Sequence, residues 1–161
     1  MIRLRPYEPG DAPALIHLFR DTVRRINVRD YSPEQVAAWA PEEIDSRVWE
    51  GQLTDRFAVV AQIGEAVVGF TDFESDGHLD RFYVHADYQG RGVGGAMLAA
   101  VEAEAVRLGL DRVFTEASIT ARPFFERRGF RVLQAQTVVR RGEKLVNYRM
   151  EKRLGSIESP N

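Results

Sequence analysis

The chain has 161 residues, of which 44% are hydrophobic and 29% are charged, and its formal net charge is −2. This length suits one domain with a substantial core, and the ordinary balance of apolar and charged residues excludes disordered and collagen-like classes. Because the chain has no cysteine, disulfides, thiolate metal sites and a cysteine nucleophile are excluded as well.

The apolar residues are not arranged for a membrane. The longest apolar run, residues 96–101, is far shorter than the ~20 residues that span a bilayer. Residues 1–5 alternate like a strand and lack the apolar core of a signal peptide. The near-neutral charge offers no basic face for nucleic acid. We therefore expect a soluble, cytoplasmic protein with neither a membrane nor a nucleic-acid partner.

The first third of the chain predicts one strand followed by helices. Asp11 follows a turn and stands where its carboxylate can cap a helix. The segment Ser32-Pro33-Glu34-Gln35 combines a capping box with proline at the first helical position. The predicted elements are a strand over residues 2–7 and helices over residues 12–25, 33–40 and 42–51.

Short segments rich in Val and Phe predict strands in the remainder, and compact turn signals at residues 63–65 and 75–77 favour an antiparallel meander. A helix ending at Gly109 and a short helix ending at Gly129, capped by Ser118 or Thr120, separate the later strands. The predicted strands are residues 57–61, 66–73, 78–84, 112–117, 130–139 and 144–150.

This order of elements predicts an α+β fold around a mixed sheet. We expect a single domain over residues 1–151 and a flexible tail over residues 152–161, whose polar end includes Ser-Pro-Asn.

A glycine-rich turn, residues 89–95, carries the strongest functional signal. Four glycines, Gly90, Gly92, Gly94 and Gly95, stand at a helix start, although each glycine inside a helix costs about 0.5–1 kcal/mol relative to alanine. Free N–H groups and the helix dipole attract anions there, and the missing Cβ atoms let phosphate oxygens approach. The turn therefore predicts pyrophosphate binding, with a closely packed strand-to-helix turn as the structural alternative.

Two other nucleotide motifs compete for this turn. Residues 90–95 formally match the dinucleotide motif G-x-G-x-x-G, with Asp111 about 20 residues further on. Five residues separate the preceding strand from the glycines, however, and that strand belongs to an antiparallel meander. A P-loop needs a lysine that the segment lacks. A dinucleotide-dependent oxidoreductase therefore stays a rival, but a disfavoured one.

The turn and the strand before it resemble the acetyl-coenzyme A motif of the GCN5-related N-acetyltransferase (GNAT) family, V-x-P-x-x-Q/R-G-x-G-x-G/A. Ala86 stands where a proline is common. The resemblance extends from the first strand to about Met150, and residues 30–41 are similar to a bacterial subgroup of the family. The residues that match the motif are Val84, Gln89, Gly90, Arg91, Gly92, Val93, Gly94 and Gly95.

The resemblance implies a splayed, mostly antiparallel sheet flanked by helices, with acetyl-coenzyme A as co-substrate in the V between the strands ending at Val84 and Ala117. The activity it implies is transfer of the acetyl group to a primary amine by direct attack on the thioester. Outside the glycine-rich turn, which would hold the pyrophosphate, the implied cofactor contacts are Phe82, Tyr83, Val84, Ser118, Phe124, Phe125 and Arg128. For Arg128, a solvated basic face is the alternative.

The reaction needs a neutral amine, and a lysine-like amine is only about one part in a thousand neutral at pH 7. A general base is therefore useful. The candidates on the central strands are Asp72, Glu74, His78 and Asp80, with solvent-facing or capping roles as alternatives. A bulge near Phe82, which the resemblance implies, would change the face that Asp80 reaches.

The family often places a tyrosine four residues before the glycine that ends the late helix, to protonate the departing thiolate. Here that position is Phe125, so Ser118, Tyr83 or water are the candidates for this role. The missing acid keeps open an alternative function, a catalytically weak or inactive acyl-coenzyme A sensor of the same fold.

Tyr31 and Trp39 lie in the early helical region that shapes acceptor pockets in the family, and core packing is their alternative role. Small amines, antibiotics, peptides and protein N-termini all remain open as acceptors. No pair of histidines has metal-ligand spacing, so we expect no metal. The sequence does not indicate the oligomeric state, and a homodimer is possible only as a habit of the family.

Overall fold

The computed structural model describes residues 1–155, and within them seven strands and five α-helices follow one another. The strands are β1 (Ile2–Pro6), β2 (Phe57–Ile63), β3 (Ala66–Phe73), β4 (His78–Val84), β5 (Arg112–Ser118), β6 (Arg131–Arg140) and β7 (Glu143–Arg153). The helices are α1 (Ala12–Arg25), α2 (Pro33–Trp39), α3 (Ser46–Asp55), α4 (Val93–Arg107) and α5 (Arg122–Arg127). Short 3₁₀ helices cover Asn27–Arg29 and Ala86–Tyr88.

The strands form one mixed sheet in the order β1-β2-β3-β4-β5-β7-β6. Helices α1, α2 and α3 cover one face, where Val60 and Phe70 pack against Leu15. Helices α4 and α5 cover the other, where Leu79 packs with Val101. The predicted α+β fold with an antiparallel meander is confirmed, and β3 and β4 have the predicted bounds.

The prediction for α3 was wrong by four residues at each end. The segment before Asp45 is irregular because α1 binds its carbonyl groups: Arg20 donates to the carbonyls of Pro41 at 3.0 Å and Glu42 at 2.8 Å. The helix begins only after Asp45, whose carboxylate accepts the Arg47 N–H at 2.9 Å. Long-range hydrogen bonds thus override the local pattern.

The cap predicted at Asp11 also differs. Asp11 does occupy the N-cap of α1, but its side chain makes no capping hydrogen bond. Its carboxylate instead accepts two hydrogen bonds from the Arg5 guanidinium, at 2.8 and 3.0 Å, and one from the Glu8 N–H. The two charge-assisted hydrogen bonds to one guanidinium add directional specificity as well as energy, and they tie β1 to the start of α1.

The sheet splits between β4 and β5, the two neighbours that run parallel. Within the described chain they pair only at His78↔Phe114 and Leu79↔Thr115. Beyond this point the strands diverge, so that no strand among residues 1–155 pairs with the edge of β4 from Asp80 onward on the β5 side. The sequence resemblance predicted this V, and the topology confirms it.

A β-bulge in β4 resets the direction of its side chains. Thr71 pairs with Phe82 but Phe73 pairs with Leu79, so Asp80 and Arg81 together oppose a single residue of β3. Leu79 and Phe82, three residues apart, consequently pack on the same face. The bulge lies next to Phe82, as the resemblance implies.

The last strand, β7, continues to Arg153, two residues beyond the predicted end of the domain. The Leu154 N–H then donates to the Asp111 carbonyl at 2.8 Å. The rest of the predicted tail, residues 156–161, lies outside the described residues. Within residues 1–155, no helix combines the length and apolarity needed to cross a membrane.

Candidate active site

Two adjoining cavities occupy the V between β4 and β5. We call them the turn-side cavity, of about 140 Å³, beside the glycine-rich turn, and the hairpin-side cavity, of about 190 Å³, beside the β6–β7 hairpin. Tyr83 and Ser118, one from each arm of the V, line both cavities. The two cavities therefore meet at these side chains.

The turn-side cavity is lined by five of the seven cofactor residues that the sequence assigned outside the glycine-rich turn, and by Gln89 from the turn itself. In the wall of this cavity, the main-chain carbonyl of Val84 accepts hydrogen bonds from the Gln89 amide at 2.8 Å and from the Thr22 hydroxyl at 3.1 Å. The Val84 carbonyl is thus already engaged by protein groups. The predicted cofactor residues along its wall are Phe82, Tyr83, Val84, Gln89, Ser118 and Phe124.

The glycine-rich turn presents a run of unpaired main-chain donors. Gly90 and Gly92 have φ values of +74° and +87°, in the left-handed region that favours glycine. Among residues 1–155, no acceptor pairs with the N–H groups of residues 89–95. The first N–H group after them that is hydrogen-bonded belongs to Ala96, which donates to the Gly92 carbonyl at 3.0 Å. A Cβ added at Gly92 would meet nothing nearer than Ile2, at 3.9 Å. This geometry fits an anion with several oxygens.

Gly94 and Gly95 meet the late helix. A Cβ at Gly94 would lie 2.8 Å from the ring of Phe124, so glycine is required for this close approach. The Arg128 guanidinium covers the same ring at 3.9 Å from its centroid and lies 3.5 Å from the Cβ position of Gly95. Arg128 thereby places a positive charge beside the first turn of α4.

Phe125 does not line either cavity, contrary to expectation. It is 2% exposed and packs against Phe82 and Phe130, with ring centroids 5.4 and 5.0 Å away. Successive residues of a helix point about 100° apart, so Phe124 faces the V while Phe125 faces the core. The residue at this position contributes no wall to the cleft.

Tyr31 and Trp39, for which the sequence predicted a role in acceptor recognition, both line the hairpin-side cavity. Their rings meet edge to face at 5.3 Å. Tyr31 is buried, which raises the pKa of its phenol. Its hydroxyl donates to the Val146 carbonyl at 2.6 Å and accepts the Ile119 N–H at 2.9 Å. Tyr31 therefore also has the packing role named as its alternative.

The candidate carboxylates separate into different environments. Asp72 is fully buried and lines neither cavity; its carboxylate accepts hydrogen bonds from Arg56 and Arg81 at 2.8 Å each. Glu74 also lies outside both cavities. Asp80 alone of the predicted carboxylates lines the hairpin-side cavity, where Arg56 lies 2.6 Å from it. The bulge at Asp80 and Arg81 produces this separation.

Glu116, which sequence reasoning missed, also lines the hairpin-side cavity. Its carboxylate lies 2.7 Å from Nε2 of His78, whose Nδ1 lies 2.6 Å from Glu74. The hydrogen bonds that the His78 ring donates to Glu116 and to Glu74 raise the pKa of His78 to about 9, against desolvation that lowers it. Strand alternation from Ser118, two residues on, would have found Glu116.

Tyr83 and Ser118 meet where the two cavities join. Burial raises the pKa of the Tyr83 phenol, so its hydroxyl stays protonated at neutral pH. The Ser118 hydroxyl accepts the Ala121 N–H at 3.0 Å and an Asn27 amide hydrogen at 3.3 Å. The predicted cap of α5 by Ser118 or Thr120 was therefore wrong: the N-cap is Ala121, which has no side-chain cap, Ser118 binds within the turn before the helix, and the Thr120 hydroxyl donates to Asp30. In residues 1–155, no three His, Asp or Glu side chains are grouped to hold a metal.

Comparison with known proteins shows which family shares this sequence and this architecture. The model of the acetyltransferase (GNAT) domain matches residues 27–152. The chain is 36% identical over 149 residues to the uncharacterized N-acetyltransferase YafP of Escherichia coli K12, covering 92% of this chain and 94% of YafP. The GCN5-related N-acetyltransferase (aminotransferase, class-II) from Rhodopseudomonas palustris is 36% identical, with a TM-score of 0.91 and coverage of 94% and 95%.

More distant structures share the fold. The PaiA N-acetyltransferase from Thermoplasma acidophilum, solved in complex with coenzyme A, has a TM-score of 0.80 at 17% identity, with 96% of this chain and 99% of that chain covered. The Salmonella typhimurium protein yncA, solved with its cofactor acetyl-CoA, has a TM-score of 0.74 at 17% identity, covering 100% and 98% of the two chains.

Proposed function

The chain belongs to the GNAT family of acetyltransferases and is an N-acetyltransferase; from that premise we propose how its V-shaped cleft binds acetyl-CoA and presents it to an amine. The dinucleotide-dependent oxidoreductase considered from the sequence is set aside by this family membership. The unpaired edge of β4 and the donors of the glycine-rich turn support a placement of the co-substrate in the turn-side cavity.

In this placement the pyrophosphate accepts hydrogen bonds from the N–H groups of residues 89–95, with Arg128 adding positive charge at the start of α4. The pantetheine arm follows the edge of β4, where it pairs with the main chain of Phe82 and Val84. Since the Val84 carbonyl is occupied by Gln89 and Thr22, the contact at Val84 is through its N–H.

One observation carries the proposal: the two cavities join at Tyr83 and Ser118. A thioester at the end of the turn-side cavity reaches this junction, and an amine in the hairpin-side cavity reaches it from the opposite side. The amine nitrogen then forms a bond to the acetyl carbon and the carbon–sulfur bond breaks, leaving coenzyme A as a thiolate.

The side chains at the junction suit this exchange. The carboxylates of Asp80 and Glu116 line the acceptor side and receive the amine proton, directly or through a water molecule. Because burial raises the pKa of Tyr83, its hydroxyl is a weaker acid than a thiol, whose pKa is near 8.5. Tyr83 therefore donates a hydrogen bond to the departing sulfur, which takes its proton from solvent.

The remaining proposals rest on composition and on the relatives. A net charge of −2 supports an amine acceptor other than nucleic acid. The Escherichia coli relative supports a bacterial source, and a cytoplasmic location stays a proposal. A homodimer remains a proposal from family habit.

The test of the cofactor site is a pair of glycine substitutions. Gly92→Glu places a negative charge among the turn donors, and Gly109→Glu makes the same change at the far end of α4. The two sites have similar φ values, +87° and +75°, and open space around the Cβ, so both variants carry a comparable backbone strain. Acetyl-CoA at one hundred times its Kd stabilises the wild-type protein by about 2.7 kcal/mol.

We expect Gly109→Glu to keep this stabilisation and Gly92→Glu to lose it, as measured by thermal unfolding with and without acetyl-CoA. If acetyl-CoA stabilised Gly92→Glu as much as it stabilises the wild type, the proposal that the glycine-rich turn binds the pyrophosphate would be wrong. Stabilisation by NAD(P) in place of acetyl-CoA would overturn the assignment of the cleft.

A further inference from the structure

Hydrogen bonds between distant parts of the chain hold the β6–β7 hairpin over the acceptor side of the cleft. The Gln35 amide donates to the Lys144 carbonyl at 2.7 Å, the Arg141 guanidinium to the Ala38 carbonyl at 2.8 Å, and the Tyr31 hydroxyl to the Val146 carbonyl at 2.6 Å. We call these contacts the strap. They join the α2 region to a hairpin more than 100 residues later in the sequence.

The hairpin itself is a tight, regular one. Arg140 pairs with Glu143, and the two residues between them, Arg141 and Gly142, have φ values of +48° and +83°. Positive φ at both central residues is the signature of a type I′ turn, whose twist matches that of the flanking strands. The cover over the hairpin-side cavity is therefore an ordered element.

The strap occupies the strand edge that an extended peptide would need. Strand β5 pairs with β7 as far as Ser118↔Asn147, so from Val146 back to the turn the cleft-facing edge of β7 has no strand partner within the described part of the chain. Carbonyls two residues apart point to the same edge of a strand, and those of Lys144 and Val146 are bonded to the strap. A peptide cannot add to this edge by the main-chain pairing that recognises extended chains.

The hairpin-side cavity is also small. Its volume of about 190 Å³ is below the ~300–1,000 Å³ of typical ligand pockets. Apolar and aromatic side chains, including Trp39, Val138 and Leu145, form one part of its wall, and the charged part combines the carboxylates of Asp80 and Glu116 with the guanidinium groups of Arg81 and Arg140. The carboxylates suit one amino group, and the small apolar space beside them suits a compact body.

We infer that the acceptor is a small amine and that the strap excludes peptides and protein N-termini. The inference rests on the proposed function, because it assigns the hairpin-side cavity to the acceptor. It selects one class among the acceptors that the sequence leaves open.

The experiment compares acceptors by the release of free thiol from acetyl-CoA. One set contains phenethylamine, tyramine, butylamine and putrescine, and the other contains ten-residue peptides with a free N-terminus and an internal lysine. We expect kcat/KM for the best small amine to exceed that for every peptide by at least about 100-fold. A peptide that equals or exceeds the small amines would overturn the inference.

A strap variant tests the cause of the selectivity. Arg141→Gly removes the bond to the Ala38 carbonyl, and the turn tolerates it because glycine favours the positive φ at this position. The control, Arg149→Ala, removes an arginine of the same hairpin that bonds to Gln134. We expect Arg141→Gly to raise KM for small amines several-fold with a smaller change in kcat. The ratio of kcat/KM for small amines to kcat/KM for peptides should fall as well. Arg149→Ala should leave KM and this ratio unchanged.

The results separate the inference from the proposed function. If Arg141→Gly left the ratio of kcat/KM for small amines to kcat/KM for peptides unaltered, the inference that the strap excludes peptides would be wrong. Binding of acetyl-CoA in the thermal unfolding test without reaction of any small amine would count against the small-amine class. Failure of acetyl-CoA to bind at all would refute the proposed function instead.

Discussion

His78 lies between two carboxylates, and this environment sets its charge. The hydrogen bonds to Glu116 and Glu74 raise its pKa to about 9, whereas an unfolded histidine titrates near 6.5. The folded state therefore binds the proton more tightly than the unfolded state. The resulting stabilisation is complete below pH 6.5 and is lost as the pH rises through 9.

We expect the free energy of unfolding to fall between pH 6.5 and 9 by at most about 3 kcal/mol, the equivalent of the change in pKa. His78→Gln removes the titrating group and should flatten this decline. The exposed His17 supplies the control, since His17→Gln leaves the Glu74–His78–Glu116 chain intact. Urea unfolding at half-unit pH steps measures the effect, and an equally steep decline in His78→Gln would assign it to other groups.

The positions of the candidate carboxylates show how far the alternation of side chains along a strand predicts their surroundings. Alternation places Asp72 and Asp80 on central strands, but a bulge shifts Asp80 toward the hairpin-side cavity while Asp72 is enclosed by Arg56 and Arg81. A bulge is a property of two paired strands, so one strand's pattern does not contain it. Matching Phe125 to the family's tyrosine position likewise did not show which way the side chain faces. The ring lies in the core, so the missing hydroxyl takes no acid group away from the cleft.

The contact between α4 and α5 depends on one of two adjacent glycines. A Cβ at Gly94 would lie 2.8 Å from the Phe124 ring, whose position is fixed by Phe82 and Arg128. At Gly95 the nearest atom is 3.5 Å away, an ordinary contact. The two positions therefore predict opposite effects of the same substitution.

Gly94→Ala should force Phe124 out of its place in the turn-side cavity, at a cost of about 1–3 kcal/mol in stability, and should weaken acetyl-CoA binding. Gly95→Ala should instead raise stability by about 0.5–1 kcal/mol through its helix propensity, with coenzyme affinity retained. Chemical denaturation and calorimetric titration with acetyl-CoA measure the two quantities. Equal behaviour of the two variants would mean that α5 adjusts freely.

Elements with a clear local pattern are predictable, and elements shaped by distant contacts are not. The capping box of α2 forms as its sequence specifies, with the Ser32 hydroxyl accepting the Gln35 N–H and the Gln35 side chain bonding the Ser32 N–H. By contrast, the start of α3 depends on Arg20, more than twenty residues earlier. The second role of Gln35, in the strap, is likewise invisible from its local sequence.

At the level of the whole molecule, the V divides the sheet into two groups of strands. The pairing of β4 with β5 at His78 and Leu79 joins them directly, and α5 contacts β4 across the division through the rings of Phe124 and Phe82. The sequence predicted the V through a family resemblance, which encodes the topology. The strap could not be predicted in this way, because it depends on the mutual placement of distant segments.

A ligand that contacts both arms of the V should hold them together. We expect saturating acetyl-CoA to slow amide hydrogen exchange in residues 80–84 and 89–95 on one arm and in residues 116–118 on the other, because bound coenzyme buries these amides and suppresses local opening. The outer strands β1 and β6, remote from the cleft, should exchange at unchanged rates. Gly92→Glu under the same conditions is the control, and it should show no added protection. Protection of one arm alone would mean that the thioester end does not reach the junction at Tyr83 and Ser118, and the amine would then have no acetyl carbon to attack there.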